Sequence, residues 1–263
     1  MQNPSFTFTR AITRAPGPSI INGLRANDTG TPDFARMQRD HLHYIKTLQM
    51  AGLLVTELPA LPDFPDAQFV EDTALCLPEM AILMRPGAPS RRGEVAEIAP
   101  YLSKHYQSKH YELHKIKTGY IEAGDILTTN TEILVGLSDR TDKTGIAELQ
   151  SLVQHLDYTV RTVQTPAGVL HFKTDCSLLD GETILSTKRL ANSGCFTGYN
   201  IIYTAKGEEA AANAIRVNDT VLMAKGFPKT SQRLRDAGYH IVEINNTECA
   251  KIDGGMSCLS LRF

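Results

Sequence analysis

The chain has 263 residues, is 42% hydrophobic and 21% charged, and carries a net charge of −2. These values are ordinary for a soluble globular protein with a sizeable core; they give no support to nucleic-acid binding, and no 18-residue apolar run offers a membrane helix. Five cysteines, an odd count with no C-x-x-C, argue for a reducing compartment and against a disulfide framework, and the opening MQNPSFTFTR lacks the apolar core of a secretory signal, so a cytoplasmic location is expected.

Phe6 to Thr9 alternates like a strand that continues through Arg14, and a Gly/Asn/Asp-rich loop follows from Gly17 to Gly30. Thr31-Pro32-Asp33 reads as a helix start with Thr31 as the capping hydroxyl; Phe34, Met37, Tyr44, Ile45 and Leu48 recur at helical spacing, and Gly52 ends the helix. Leu53 to Leu58 is a short strand, and the loop after it delivers Asp66, Phe69, Glu71 and Asp72 together. A unit then repeats: a turn precedes each of the apolar runs 81–84, 132–135, 183–186 and 220–223, and each run is a hairpin candidate. Helical patterns over 148–156 and 230–237 are followed by strands at 158–160 and 241–244. The strand starts 81, 132 and 183 recur every 51 residues, which reads either as modules around an axis or as ordinary α/β alternation.

The final stretch, KIDGGMSCLSLRF, places Cys258 just after Gly254-Gly255 and before a closing strand. Glycine there gives the backbone unusual freedom beside a candidate nucleophile. Taken alone, Cys258 reads first as a buried inert thiol, His171 as a core histidine beside Leu170 and Phe172, and the Glu71-Asp72 pair as solvated surface. His41 and His43, two apart on a helix, point in different directions. His110 and His114 have i, i+4 spacing without an identifiable third ligand, so no metal site is expected. The loop 23–30 has no phosphate-loop spacing, which excludes nucleotide binding by that route.

Five segments in order, DAQFVED (66–72), RPGAPSRRGE (85–94), IEAGD (121–125), VLHFKT (169–174) and KIDGGMSCLSLRF (251–263), resemble dimethylarginine dimethylaminohydrolase, over nearly the whole chain. The departures are small: Met256 at a position where the family varies, a longer N-terminal lead, and a His-bearing segment 104–114. The resemblance implies an α/β fold, the five-bladed α/β propeller of repeated ββαβ modules (the pentein fold), with residues 1–263 forming one catalytic domain. It implies Cys258 as nucleophile on a guanidinium carbon, His171 as general acid and base, and Glu122 as the group that orients the histidine. It implies Asp72 and Glu71 at the guanidinium or its loop, with Phe69 nearby; Arg91 and Arg140 on the substrate carboxylate, with Arg92 able to exchange with Arg91; and Asp66 with the backbone oxygens of Leu24 and Ile252 at the amino group.

The implied substrate is a methylated arginine, converted to citrulline without metal or organic cofactor, with no nucleic-acid or membrane partner and room for a homodimer. Loop 23–30 is a candidate lid. Two rivals stand beside this reading. One is another guanidine-modifying activity on the same fold, such as arginine deimination or amidino transfer; the other is a non-catalytic propeller module, which the joint presence of Cys258, His171 and Glu122 disfavours.

Overall fold

The computed structural model describes residues 5–263 apart from 109. Its described residues form five three-stranded sheets arranged as the blades of an α/β propeller. Four blades are continuous in sequence: β3 (Ala74–Cys76), β4 (Met80–Leu83) and β5 (Glu112–Lys115); β6 (Ile126–Thr128), β7 (Glu132–Leu137) and β8 (Thr159–Gln164); β9 (Cys176–Leu178), β10 (Thr183–Ser186) and β11 (Asn200–Tyr203); β12 (Ile215–Val217), β13 (Thr220–Ala224) and β14 (His240–Ile244). In each, the inner strand pairs antiparallel with the middle strand, and the middle strand pairs parallel with the outer one. A parallel partner needs a crossover, and a helix supplies it: α2 (Glu94–Gln107), α3 (Lys143–Val153), α4 (Lys188–Ala191) and α5 (Pro228–Asp236).

The remaining blade joins the two ends of the sequence. β1 (Arg10–Arg14) runs parallel to β2 (Leu54–Leu58) through α1 (Phe34–Met50), and takes as its inner strand β15 (Leu261–Arg262), antiparallel with Ala11 opposite Arg262. The two ends of the chain thus make the fifth blade.

The apolar runs have a direct explanation. Successive side chains of a strand point to opposite faces, and a propeller blade is covered on both. Ile82 faces one seam, with Ile133 and Val135, whereas Ala81 and Leu83 face the other, with Ile12 and Leu58. Leu134 and Ile184 share the next seam, Leu185, Val221 and Met223 the one after, and Leu222 meets Ala11 in the last. Five clusters thus fill five inter-blade seams.

Several local expectations shift. Residues 5–9 form turns, and the first strand begins at Arg10. α1 starts two residues later than read: Asp33, not Thr31, is the cap, and its carboxylate accepts from Arg36 N at 2.8 Å. Gly52 follows the helix at φ +96°, a conformation that favours glycine. The segment 104–114 is the end of α2 and the strand β5, so His114 lies on a strand, where i, i+4 spacing does not bring two imidazoles onto one turn; its Nε2 lies 2.6 Å from Glu112 Oε2. His41 is buried and His43 exposed, as their spacing on α1 requires.

Candidate active site

Each inner strand is preceded by a single 3-10 turn: residues 70–73 before β3, 123–125 before β6, 172–174 before β9, 209–212 before β12 and 257–259 before β15. These turns are equivalent positions around the ring axis. Asp72 lies in the first, Glu122 caps the second, His171 caps the third, Asn213 ends the fourth and Cys258 lies in the fifth. The fold converts five segments far apart in sequence into one cluster.

At its centre His171 Nε2 lies 2.6 Å from Glu122 Oε2 and 3.9 Å from Asp72 Oδ1. Glu122 Oε1 accepts from Ala88 N at 3.1 Å and from Arg140 Nη1 at 3.4 Å. Asp72 Oδ1 accepts from Gly124 N at 2.9 Å, and Oδ2 from Arg91 Nη1 at 2.5 Å. All four of Asp72, Glu122, His171 and Cys258 are buried. Burial alone would lower the histidine, but Asp72, the hydrogen bond to Glu122 and Asp125 outweigh it and raise His171 to about 9, so its ring is an imidazolium at neutral pH. Burial opposes ionisation of Glu122 as well, yet the His171 hydrogen bond and charge hold it down at about 2. The ligand atoms of Asp72, Glu122 and His171 lie within 4.8 Å of one another, a spacing a cation could share, although each already has protein partners.

Cys258 Sγ accepts from Gly255 N at 3.4 Å. Burial, then the negative charges of Glu71 and Asp72, push the thiol up to about 12. In the free protein this is a neutral thiol, and a cation bound between it and Asp72 is the kind of charge that would favour the thiolate.

The opposite end of the site is built by three segments. Leu24 N donates to Asp66 Oδ1 at 3.0 Å, and a Cβ on Gly23 would stand 3.1 Å from both Asp66 Oδ1 and the Ile252 side chain. The carbonyl oxygens of Leu24 and Ile252 take no hydrogen bond among the described residues. Loop 23–30 is pinned at Ala26, whose N donates to Asp253 Oδ2 at 2.6 Å.

These groups can bind a planar cation, deliver a proton and attack with sulfur. A family model described as arginine deiminase matches residues 59–227. The dimethylarginine dimethylaminohydrolase of Pseudomonas aeruginosa is 36% identical over 257 residues, covering 97% of this chain and 100% of that one. The chain belongs to the dimethylarginine dimethylaminohydrolase family. The crystal structure of the Pseudomonas aeruginosa enzyme as a cysteine-to-serine mutant with citrulline superposes with a TM-score of 0.94, covering 98% of this chain and 100% of that one. A histidine-to-glycine adduct of a dimethylarginine dimethylaminohydrolase with S-methyl-L-thiocitrulline gives 0.93 at 36% identity, covering 97% and 100%. The N-terminal domain of a cyanobacterial arginine dihydrolase, 20% identical and covering 96% of each chain, shares the fold with a TM-score of 0.82.

Within this dimethylarginine dimethylaminohydrolase fold, three residues stand differently from expectation. The Glu71 carboxylate turns away from Asp72: Oε1 meets Lys173 Nζ at 2.6 Å and Arg262 Nη2 at 2.9 Å, so it belongs to an ion cluster under the site. Arg91 is buried, and its Nε and Nη2 are committed to Glu94 and to the carbonyls of Asp66 and Phe69. With Asp72 on Nη1, one Nη1 N–H is left to offer a ligand. Arg92 lies over the Tyr120 ring, 4.8 Å from its centroid, and donates to Pro86 O. Gly254 and Gly255 are needed for space and not for a left-handed conformation: a Cβ on the first would run into the Phe69 ring and on the second into the Asn213 amide.

Sequence reading missed Asn213, Lys173, Asp125 and Gly124. Asn213 Oδ1 accepts from Ser257 N at 2.9 Å and so fixes the turn that carries Cys258. Asp125 accepts from Phe172 N at 2.8 Å and from Ser138 Oγ at 2.6 Å, which fixes the histidine turn. Each is a lone polar residue whose role depends on a contact across blades; the usable signal was position, just before an inner strand.

Proposed function

We propose that this protein hydrolyses Nω-methylated arginines to citrulline and dimethylamine or methylamine, and that residues 1–263 act as one catalytic unit. The observation that carries the reading is a thiol, an imidazolium and two carboxylates brought to one point by four different blades. Asp72 holds the guanidinium edge, and the cation so placed stabilises the Cys258 thiolate, whose proton leaves to solvent. Sulfur attacks the guanidinium carbon, His171 gives its proton to the departing alkylamine nitrogen, and the C–N bond breaks to leave a thiouronium on Cys258. The neutral His171 then takes a proton from water, the hydroxide adds to the same carbon, and C–S cleavage returns thiolate and an O-protonated urea, which gives its proton to solvent to leave the ureido product. Glu122 holds the imidazole throughout.

At the other end Arg140 meets the substrate carboxylate, with Arg91 contributing its remaining N–H, while Asp66 and the carbonyls of Leu24 and Ile252 take the amino group. The five free cysteines suit a reducing, cytoplasmic setting, and no helix of the described residues is long and apolar enough to cross a membrane. A homodimer is compatible with this site, which draws on one chain.

The test is a product assay with arginine, monomethylarginine, both dimethylarginines and agmatine. Citrulline with released alkylamine, from the monomethyl and asymmetric dimethyl compounds, is expected. Ammonia and citrulline from unmethylated arginine as the faster reaction would instead place the chain with deiminases, as the description of its matching family model allows.

A further inference from the structure

The two free carbonyls at the amino-acid end belong to separate segments. Leu24 lies on the loop that follows Gly23, Ile252 on the stretch that leads to Cys258, and no hydrogen bond runs between these two residues. Two carbonyl oxygens and the Asp66 carboxylate, gathered to receive one ammonium, repel one another until it arrives. Something must hold them in place.

Asp253 supplies the tie. It follows Ile252 directly, and its Oδ2 accepts from Ala26 N, two residues past Leu24, at 2.6 Å. That bond is the only hydrogen bond or ion pair of the Asp253 carboxylate among the described residues. Between Leu24 and Ala26, the Arg25 guanidinium donates to the carbonyls of Ile21, Gly23 and Gly30 and so ties the loop to itself. A hold on Ala26 is therefore a hold on Leu24. The base of the loop is secured separately: Lys251 Nζ donates to Thr31 O at 3.2 Å, and Asp33 N to Glu248 Oε2 at 2.8 Å.

The backbone gives a second, independent sign. Asp253 lies in the turn after α6 (Thr247–Ala250) with φ +58°, and Ile252 N and Gly254 N on either side both donate to Cys249 O. Glycine is the usual residue at a left-handed position after a helix, and a side chain there is strained. Here the glycines stand at 254 and 255, neither with positive φ, and the strained position carries a carboxylate. That order is the reverse of what backbone preference alone would place, and the bond to Ala26 accounts for it. We propose that Asp253 is a positioning residue for the substrate's amino group: by tying Ala26 to the residue after Ile252, it holds the Leu24 and Ile252 carbonyls as one acceptor pair beside Asp66. It acts through those carbonyls. The inference rests on the amino-acid end of the reading above and concerns how tightly the amino group is held, not the chemistry at Cys258.

Calorimetric titration of the whole chain with L-citrulline and with δ-ureidovalerate, which is citrulline with hydrogen in place of the amino group, reads this directly. Asp253→Gly removes the carboxylate and relieves the backbone, whereas Asp253→Asn keeps an oxygen acceptor on a residue that tolerates positive φ. Asp253→Gly should weaken citrulline roughly tenfold, the loss of one charge-assisted hydrogen bond, and δ-ureidovalerate by less than about twofold. Asp253→Asn should recover most of the loss. Equal weakening of the two ligands, an unchanged Asp253→Gly, or an Asp253→Asn as impaired as Asp253→Gly would overturn the proposal. Should the variants fail to fold, hydrogen exchange at the Ala26 amide of the natural protein decides it: slowed exchange is expected, and exchange at the rate of an unstructured chain would overturn it. A natural protein that binds citrulline but releases no alkylamine from methylated arginines would overturn the assigned reaction alone; one that binds no citrulline would overturn both.

Discussion

His171 couples the chemistry to stability. Its folded value of about 9 lies above the ordinary 6.5, so the stability it contributes is fully present below about 6.5 and is lost as pH rises through 9. Urea midpoints measured from pH 6 to 10 should fall across that window in the natural protein and fall less in His171→Asn; parallel curves would mean that the ion pair with Glu122 is not what holds the proton. The same variant should lose turnover by about 10²–10⁴-fold. Cys258→Ser should abolish turnover with the fold retained, whereas Cys249, whose thiol lies against Met37 Sδ at 3.3 Å in the seam it shares with Cys258, should tolerate serine with a modest stability loss; substantial activity in Cys258→Ser would sink the covalent mechanism. At the carboxylate end, Arg140→Ala should cut kcat/KM strongly for dimethylarginine and little for agmatine, which lacks the carboxylate, because losing one partner of a buried charge pair costs about 2–5 kcal/mol. Equal losses on the two substrates would reassign Arg140 to its contact with Glu122.

Among the elements, the turns before the inner strands carry the function and leave the least room. A Cβ on Gly124 would lie 2.6 Å from Asp72 Oδ1 and 2.7 Å from His171 Nδ1. Gly124→Ala should therefore push two catalytic groups apart and lower kcat by about a hundredfold or more, as small misplacements do, with little change in the unfolding midpoint; near-normal turnover would show that the turn can shift without them. Such turns were legible in part. The apolar middle strands announced themselves because both faces are buried, and 183–186 is observed as read. α2 and β5 escaped because Pro100 and a run of charged residues interrupt the helical pattern, and β11 because a four-residue outer strand has little pattern to show. The grouping of Cys258, His171 and Glu122 proposed as catalytic is legible only through its motifs: nothing local to Glu122 or His171 says that a contact 49 residues apart in sequence will bring them to 2.6 Å. Glu71 misled for the converse reason, since adjacency to Asp72 in sequence says nothing of direction on a 3-10 turn.

For the molecule as a whole, ring closure and the floor of the site are one structure. Arg262 belongs to β15, the strand that completes the first blade, and its guanidinium pairs with Glu71 of the second. Arg262→Met should leave Glu71 with Lys173 alone and cost about 3–5 kcal/mol, the usual result of breaking a buried pair from one side; a urea midpoint within error of the natural protein would show that Lys173 suffices. The five turns at equivalent positions carry a further consequence for how such a protein can change. The scaffold treats the turns alike, yet one carries a carboxylate beside Arg91, one the carboxylate that holds the histidine, one an imidazole, one an amide and one a thiol. Each turn also lends an apolar residue to a seam, Val70, Ala123, Phe172, Ala211 and Leu259 in chain order, so a new activity can be sampled by rewriting the polar positions of a single turn only while that residue keeps its place in the ring.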